Sequence, residues 1–486
     1  MATLALAAKK ERYPLDFIEI IVRILPYAAI ALVFASIFGG CVLFLYKAYR
    51  KKGGTKEIQK GQFLCAFLLL GWSVVVVGLT TLSRGANYEG WVNFRLFSGY
   101  INAWNHWSLR EFQLIIFNVL MFLPLGFLLP LLSNRLRRFW PVMLISLIAT
   151  TGIELFQMLS RRGIFELDDI FHNTLGSVTG YLIIMAILAC VKERGIAVKS
   201  VIKAIAVPLL FATLFSGASI LYNTQKYGNM PISPAIPQKM DGVLVESSIE
   251  LSDVAEPTPI YYNSRIGNME YMKQIAGLLE DEFSLWREGG IRIDGANRQI
   301  SYLDDAGEEY YYTFFLESGT WSLTHDPCFG HEPLSQSDIQ AQVAKYEQWM
   351  MNNSLLPADA AHSIQNEDTL RWDALPPADK TAEHFFVGQI IIFPALDHGA
   401  PCSLWCFISE NDFVGTEAIV SPAQAYEMVL AGQFQLYNDL LSGDQITVTS
   451  CELEYIYDTK GYYRPIYRFE GTVNNEPWGC SIPAME

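Results

Sequence analysis

The sequence lacks the short motifs that mark common hydrolase and nucleotide-binding sites. It contains no Gly-x-Ser-x-Gly nucleophile turn, no His-Glu-x-x-His zinc helix and no phosphate-binding P-loop. The histidines of the second half are scattered without ligand spacing, and Cys402 and Cys406 are not spaced as a zinc knuckle. The sequence therefore predicts no metal site and no cofactor, and it offers no obvious nucleophile for an enzyme.

Basic residues are scarce in the second half of the chain. Residues 223–486 hold 13 Lys and Arg against 39 Asp and Glu, whereas residues 1–222 hold 22 against 11. An acidic surface repels a phosphate backbone, so we exclude nucleic acid as a partner. A basic, apolar half followed by an acidic half predicts a membrane domain joined to a soluble domain.

Cysteine spacing predicts no disulfide pattern. Three cysteines, Cys41, Cys65 and Cys190, lie in apolar stretches and are predicted to be packing residues. The other five lie in the second half, so at most four of them can pair, and the sequence does not say which. They are Cys328, Cys402, Cys406, Cys451 and Cys480.

The first half contains six apolar runs that are long enough to cross a bilayer. Basic loops follow the first, third and fifth runs, and the positive-inside rule places these loops in the cytoplasm. Both chain ends are then predicted on the outer side of the membrane. The beginning of the sequence has no recognisable removable signal peptide. The runs are residues 17–46, 63–82, 112–132, 140–159, 170–190 and 204–222.

These features predict an α-helical polytopic membrane domain followed by an extracytoplasmic α+β domain with antiparallel sheet. Helices are predicted over 270–287, 337–352 and 422–433, and strands over 290–293, 310–316, 386–393, 403–408, 445–457 and 466–472. The predicted domains are 1–62 (first span and basic loop), 63–190 (four-helix membrane core), 191–222 (sixth span), 223–240 (Pro-rich linker) and 241–486 (outer domain, in one or two lobes).

The stretch from Gly152 to Gly180 carries polar groups that a bilayer normally rejects. A carboxylate at the centre of a bilayer costs about 2.5–3.5 kcal/mol, so such groups usually face a bundle interior or a wet cavity. Two sets have the spacing of one helix face. They are Glu154, Gln157 and Arg161, and then Asp169, Asn173, Gly176 and Gly180.

The predicted topology places five of the polar residues at one depth, in the outer leaflet. We therefore predict one polar pocket formed by Asn118, Glu154, Gln157, Asp169 and Asn173. Arg161 and Asp168 are further candidate binding residues. Either Arg161 or Arg162 is a candidate partner for Glu154 or Asp168, because pairing reduces the cost of burying a charge.

Three roles are open for these groups. They can bind a ligand, or they can hydrogen-bond one another and only hold the helices in register, as the close-contact spacing of Gly176 and Gly180 also suggests. They can also include an acid and a base, with Glu154 and Asp169 as the catalytic candidates. His172 can face the same way as Asp168, but no second histidine lies nearby in the sequence to complete a metal site.

Three segments, in this order and spacing, resemble the signature of the VanZ family of bacterial integral membrane proteins. They are NVLMFLPLG at 118–126, ELFQ at 154–157 and DDIFHNTLG at 168–176. The segment WVNF at 91–94 resembles the outer-loop motif of that family, although Arg95 to Phe97 stand where the motif continues through a proline. The resemblance covers residues 65–190. It implies a cell-envelope protein of a family named for teicoplanin resistance, and it does not fix the activity.

Residues 420–486 are similar to the PepSY-like lobes of membrane-anchored extracytoplasmic regulators of cell-wall sensor kinases. A generic helix followed by a hairpin is the alternative interpretation of this segment. We therefore expect an accessory or binding role in the cell membrane, with membrane lipids or a lipid-linked wall precursor as partner, or in glycopeptide resistance. The outer domain is expected to contact an envelope protein. The alternatives are an intramembrane enzyme acting on a lipid headgroup and a transporter, although no inverted repeat is evident.

Overall fold

The structure is a computed structural model that divides the chain into two compact units. The helical unit ends at Lys226, and the α+β unit begins at Tyr227. The predicted fold class is confirmed: a helical membrane region is followed by an α+β region rich in antiparallel sheet. The described residues are 17–55, 57, 59–82, 92–294, 297–325, 336–365, 369–376, 382–394, 400–436 and 439–485. Trp91 of the predicted outer-loop motif and Cys328 lie outside them.

Six helices among the described residues are long and apolar enough to cross a membrane. The runs predicted at 17–46, 112–132, 140–159, 170–190 and 204–222 each lie within one of them, and the run at 63–82 lies within α2 and a π-turn that follows it. A seventh, short helix lies between the second and third spans. The helices are α1 (Phe17–Lys51), α2 (Lys60–Val77, then a π-turn at Gly78–Leu82), α3 (Ser98–Asn105), α4 (Leu109–Leu132), α5 (Phe139–Leu159), α6 (Leu167–Glu193) and α7 (Val198–Thr224). A 3-10 turn (Asn134–Arg137) precedes α5, and two short strands, β1 (Val92–Asn93) and β2 (Phe165–Glu166), pair in parallel.

Helices α4 and α6 are the most closely associated pair of the unit, because glycines allow their backbones to touch. A methyl group on Gly176 would lie 2.0 Å from the carbonyl oxygen of Val119, and one on Gly180 would lie 2.1 Å from that of Leu123. Gly126 makes the reciprocal contact, since it is a glycine of α4 that lies against the backbone of α6 at Ser177. The predicted packing role of Gly176 and Gly180 is therefore confirmed.

The α+β unit contains fifteen paired strands and three helices within its described residues. The sheet has the order β3-β15-β16-β4-β14-β12-β13-β9-β8-β7-β5, with β6, β10, β11 and β17 attached beside this path. The helices are α8 (Met269–Phe283), α9 (Gln336–Asn352) and α10 (Pro422–Leu430). The strands are β3 (Leu244–Ser247), β4 (Thr258–Tyr262), β5 (Trp286–Arg287), β6 (Arg292–Asp294), β7 (Asn297–Leu303), β8 (Glu309–Phe315), β9 (Thr320–His325), β10 (Ala361–Gln365), β11 (Thr369–Ala374), β12 (His384–Phe393), β13 (Ser403–Cys406), β14 (Ser409–Glu417), β15 (Gln445–Tyr457), β16 (Tyr462–Val473) and β17 (Glu476–Pro483).

Two hydrophobic cores stabilise the α+β unit. One lies beneath α8 and α9, against β7 to β9 and β11 to β13, and the other lies between α10 and the meander β15 to β17. Helix α10 begins at a capping box between Ser421 and Gln424, in which each side chain accepts a hydrogen bond from the other residue's backbone N–H. Cys402 is disulfide-bonded, whereas Cys406, Cys451 and Cys480 are free thiols.

The chain after α7 is held to the α+β unit by hydrogen bonds. The buried Asp458 carboxylate accepts a bond of 2.6 Å from the backbone N–H of Gly228, and Arg464 donates to the Gly228 carbonyl at 3.0 Å. Further along, the backbone N–H of Gln238 donates to Gly432. Part of the segment predicted as a linker is thus fixed against the sheet of the α+β unit.

We predict that Gly176→Ala will destabilise the helical unit by about 2 kcal/mol or more, because the new methyl group meets backbone that cannot rotate away. The measurement is the midpoint of thermal unfolding of the detergent-purified protein. Gly152→Ala is the matched control, since nothing lies within 4 Å of its new methyl group and alanine favours a helix. Equal midpoints for the two variants would contradict the close helix contact.

Candidate functional site

Helix α5 carries a stripe of buried polar residues on its inner face. Ser146, Thr150, Glu154 and Gln157 follow one another at intervals of four, four and three residues, so they lie along one side of the helix. Glu154 is 1% exposed and Gln157 is 2% exposed. A bundle of membrane helices tolerates such groups only where the protein or a ligand provides hydrogen-bond partners.

Helices α4 and α6 add three polar side chains to this stripe. Asn118 of α4 donates from Nδ2 to Oδ1 of Asp169 at 2.6 Å. One turn further along α6, the buried Asn173 donates from Nδ2 to Oγ1 of Thr150 at 2.9 Å. The two bonds join α4, α6 and α5. The second bond places Asn173 beside Thr150, which precedes Glu154 by one turn of α5.

The other end of the stripe meets backbone groups. Glu154 accepts a hydrogen bond of 3.3 Å from the backbone N–H of Glu166 in β2. Gln157 donates from Nε2 to the carbonyl oxygen of Thr80 at 3.1 Å, within the π-turn after α2. We call the set Asn118, Thr150, Glu154, Gln157, Asp169 and Asn173 the polar cluster; direct bonds or single helical turns connect its members.

Several buried polar atoms in and beside the polar cluster have no hydrogen-bond partner in the described part of the chain. Within the cluster they are Oε1 of Gln157 and Oδ1 of Asn173, and deeper in the bundle they are the hydroxyl oxygens of Ser146 and Ser177. An unsatisfied buried polar group costs about 1–3 kcal/mol. Such atoms in a native structure call for a partner that is not protein, such as water or a ligand.

Asp168 has a different role from its neighbour Asp169. It is 5% exposed, and its carboxylate accepts backbone N–H bonds from Phe97 at 2.5 Å and Gly99 at 2.8 Å. These donors lie at the beginning of α3, where a helix leaves its first N–H groups unpaired. Asp168 therefore acts as a cap for α3.

The segment from β1 to α3, residues 92–105, has two further attachments to the α5–α6 turn. β1 pairs with β2, and Tyr100 of α3 shares a hydrogen bond of 2.9 Å with Nε2 of His172. Burial and the nearby Asp168 raise the pKa of Tyr100 to about 12, so its phenol is neutral at physiological pH. We call residues 92–105 the outer segment. It is clasped to the α5–α6 end of the helical unit.

The predicted position of Arg161 is wrong. Helix α5 ends at Leu159, and Arg161 adopts a left-handed backbone conformation in the turn that follows, with an exposed side chain. It therefore cannot continue the helix face of Glu154 and Gln157. Its neighbour Arg162 donates to the carbonyl oxygen of Thr81 at 3.3 Å, which fixes the turn to the end of α2.

Sequence reasoning missed several members of the buried polar face. Ser146 and Thr150 have the i and i+4 spacing to Glu154, so the same periodicity could have identified them. Ser177, one turn after Asn173, could have been found in the same way. The contact of Gln157 with Thr80 had no such signal, because it joins residues 77 positions apart.

The described residues contain no group of three or more His, Cys, Asp or Glu side chains that could hold a metal ion. What the helical unit contains is a hydrogen-bonding site of amides, hydroxyls and two carboxylates inside a bundle of spanning helices. Fold and site together define a multi-pass membrane protein. Residues 62–189 match the sequence model of the VanZ/LLP1 family, so this part of the chain is a VanZ-like domain.

Comparisons with curated proteins and with solved structures identify no relative of high identity. No curated protein matches the chain. Among solved structures, it is similar to the Bacillus megaterium YpeB C-terminal domain, at 13% identity over 45% of this chain and 93% of that one, with a TM-score of 0.20. It is also similar to an uncharacterized protein from Eubacterium rectale ATCC 33656, at 9% identity over 50% of this chain and 89% of that one, with a TM-score of 0.20. TM-scores this low carry no argument.

We predict that Asp168→Ala will release the outer segment, because the N–H groups of Phe97, just before α3, and of Gly99, within it, lose a charged acceptor worth about 1.5–3 kcal/mol per bond. Trypsin cleavage after the exposed Arg95 should become faster in the detergent-purified variant. Glu193→Ala, an exposed position at the far end of α6, is the control for loss of an acidic side chain. An unchanged cleavage rate in Asp168→Ala would show that the clasp does not depend on this carboxylate.

Proposed function

We propose that the VanZ-like domain binds the headgroup of a membrane lipid or of a lipid-linked wall precursor in the polar cluster, as an accessory protein of the cell envelope. The observation that carries this proposal is the pair of buried amide oxygens, on Gln157 and Asn173, that have no partner among the described residues beside two carboxylates. The VanZ/LLP1 match supports an envelope role related to glycopeptide resistance.

A role in helix packing alone explains only half of these contacts. The N–H groups of Asn118 and Asn173 bond across helices and do hold α4, α5 and α6 in register. The oxygens of Gln157 and Asn173 bond to nothing in the described chain, although apolar side chains at these positions would avoid the penalty. A headgroup or its bound water would satisfy them.

The alternative of an enzyme that uses Glu154 or Asp169 as acid or base stays a prediction. These carboxylates accept hydrogen bonds from different elements, Glu154 from β2 and Asp169 from α4. No contact of the described residues identifies a nucleophile or an activated water beside them, so we favour binding.

We further propose that the α+β unit lies on the outer side of the membrane. The basic loops after α1, α4 and α6 support a cytoplasmic position for those loops, which puts the end of α7 outside. The disulfide bond of Cys402 also supports this side, because disulfides persist mainly in oxidising compartments.

An envelope protein that contacts the α+β unit remains part of the proposal. A groove of about 600 Å³ in this unit is lined by Phe413, Leu453 and Tyr467 and also by Glu256 and Glu383. Together with the acidic charge of residues 223–486, this lining favours a partner with basic and apolar side chains.

We predict that the purified wild-type protein retains a defined lipid in native mass spectrometry and that the double variant Glu154→Gln/Asp169→Asn loses it. Both amides keep an oxygen that can accept the bonds from Glu166 and Asn118, so the fold should survive while the negative charge is removed. Glu193→Gln, on the exposed end of α6, removes one negative charge outside the polar cluster and is the control that should retain the lipid.

Thermal unfolding of the same samples separates binding from packing. A double variant that unfolds at the wild-type temperature without lipid supports binding. A wild-type protein without lipid, combined with a double variant that unfolds early, would show that the polar cluster only holds the helices together.

We predict that a membrane-impermeant maleimide will label Val254→Cys, and not Thr55→Cys, on intact cells. Val254 is 72% exposed in the α+β unit, and Thr55 is exposed in the basic loop after α1. Permeabilised cells provide the control, since both positions should then react. Labelling of Thr55→Cys alone on intact cells would place the α+β unit in the cytoplasm.

A further inference from the structure

The three amides of the polar cluster use their N–H groups for contacts within the protein. Asn118 donates to a carboxylate and Gln157 donates to a backbone carbonyl, and neither acceptor can donate in return. The orientation of these two amides is therefore fixed by chemistry. Asn173 donates to the hydroxyl of Thr150, a group that, unlike the other two acceptors, can also donate.

In each of these bonds the amide uses its N–H group, and its oxygen points away from the bonded partner. For Gln157 and Asn173 this oxygen is enclosed and has no partner among the described residues. Gln157 is three residues after Glu154 on α5, and Asn173 is bonded to Thr150, four residues before Glu154 on the same helix. The unfilled hydrogen-bonding capacity of the cluster is that of an acceptor.

We infer that the polar cluster recognises a lipid headgroup by its N–H or O–H donors, as in a protonated amine or a sugar hydroxyl, and that it does not hold the phosphate. This inference rests on the proposed lipid binding and specifies its chemistry. A phosphate oxygen only accepts hydrogen bonds, so it cannot satisfy Gln157 or Asn173. The phosphate charge would also be repelled by Glu154 and Asp169 in a medium of low dielectric constant.

Binding of a headgroup to these oxygens requires a movement of the protein, because both are enclosed. The oxygens of Gln157 and Asn173 are shielded from solvent in this structure, so a headgroup reaches them only when neighbouring elements separate. The outer segment is attached to α6 next to Asp169, through hydrogen bonds of Asp168 and His172, and to the α5–α6 turn through the pairing of β1 with β2.

Headgroup selectivity tests the inference directly. The delipidated wild-type protein is incubated with phosphatidylethanolamine, phosphatidylcholine, phosphatidic acid or a glucosyl diacylglycerol of matched acyl chains, and retained lipid is measured by native mass spectrometry. Phosphatidylcholine has the same net charge as phosphatidylethanolamine but no N–H donor. We expect phosphatidylethanolamine, the glucosyl lipid or both to be retained about 10-fold more than phosphatidylcholine and phosphatidic acid, which corresponds to about 1.4 kcal/mol.

Two substitutions of Gln157 separate recognition from structure. Gln157→Met removes the acceptor and should abolish the preference for donor headgroups. Gln157→Glu loses the donor to Thr80 and adds a carboxyl group, but it keeps an acceptor, so it should keep the preference. A purely structural role for Gln157 would make both variants equally poor. Gln113→Met, an amide on α4 outside the cluster, is the control and should behave as wild type.

The outcomes test separately whether the cluster recognises donor groups and whether the protein binds lipid at all. Retention of the amine lipid alone identifies an ammonium group, and retention of the glucosyl lipid alone identifies a sugar hydroxyl; either supports the inference. Equal retention of phosphatidylcholine, or a preference for phosphatidic acid, overturns the inference and leaves lipid binding intact. Failure to retain any lipid overturns lipid binding itself. These comparisons use the wild-type protein, so they decide the question even if a variant does not fold.

Discussion

The contact between the backbones of α4 and α6 is the constraint on which the helical unit depends. Gly176 lies against the carbonyl of Val119, the residue that follows Asn118, and this close approach allows Asn118 to reach Asp169. Lipid offers no hydrogen bonds, so the polar side chains of membrane helices must find partners within the bundle. The glycine interface therefore does more than pack two helices; it sets the distance at which the polar cluster can form.

Two adjacent carboxylates on α6 perform separate tasks. Successive residues of a helix point about 100° apart, so Asp168 and Asp169 face different elements. Asp168 caps α3 and holds the outer segment, whereas Asp169 accepts from Asn118 inside the bundle. One turn of α6 thus connects the clasp of the outer segment to the polar cluster. A change at either carboxylate can be transmitted to the other through the helix that carries both.

The features that sequence predicted correctly are those determined by local pattern. The six spans follow from the length of apolar runs, and the strand over 445–457 has the observed bounds although a bulge between Val448 and Ser450 shifts its alternation. Arg161 was misplaced because the helix ends in a turn whose left-handed residue has no signal in the sequence. The cap formed by Asp168 could not be predicted either, since its partners lie about 70 positions away in a segment without strong periodicity.

Helix packing and ligand binding need not be competing explanations of the polar cluster. The N–H groups of its amides stabilise the bundle, and the oxygens of the same amides remain to be satisfied. Any ligand that binds the folded state and not the unfolded one stabilises the folded state by mass action. A donor group placed against Gln157 and Asn173 would therefore remove the cost of burying these two oxygens without a partner. The stability of the helical unit would then depend on the lipid around it, which couples the fold of this membrane region to the composition of the envelope.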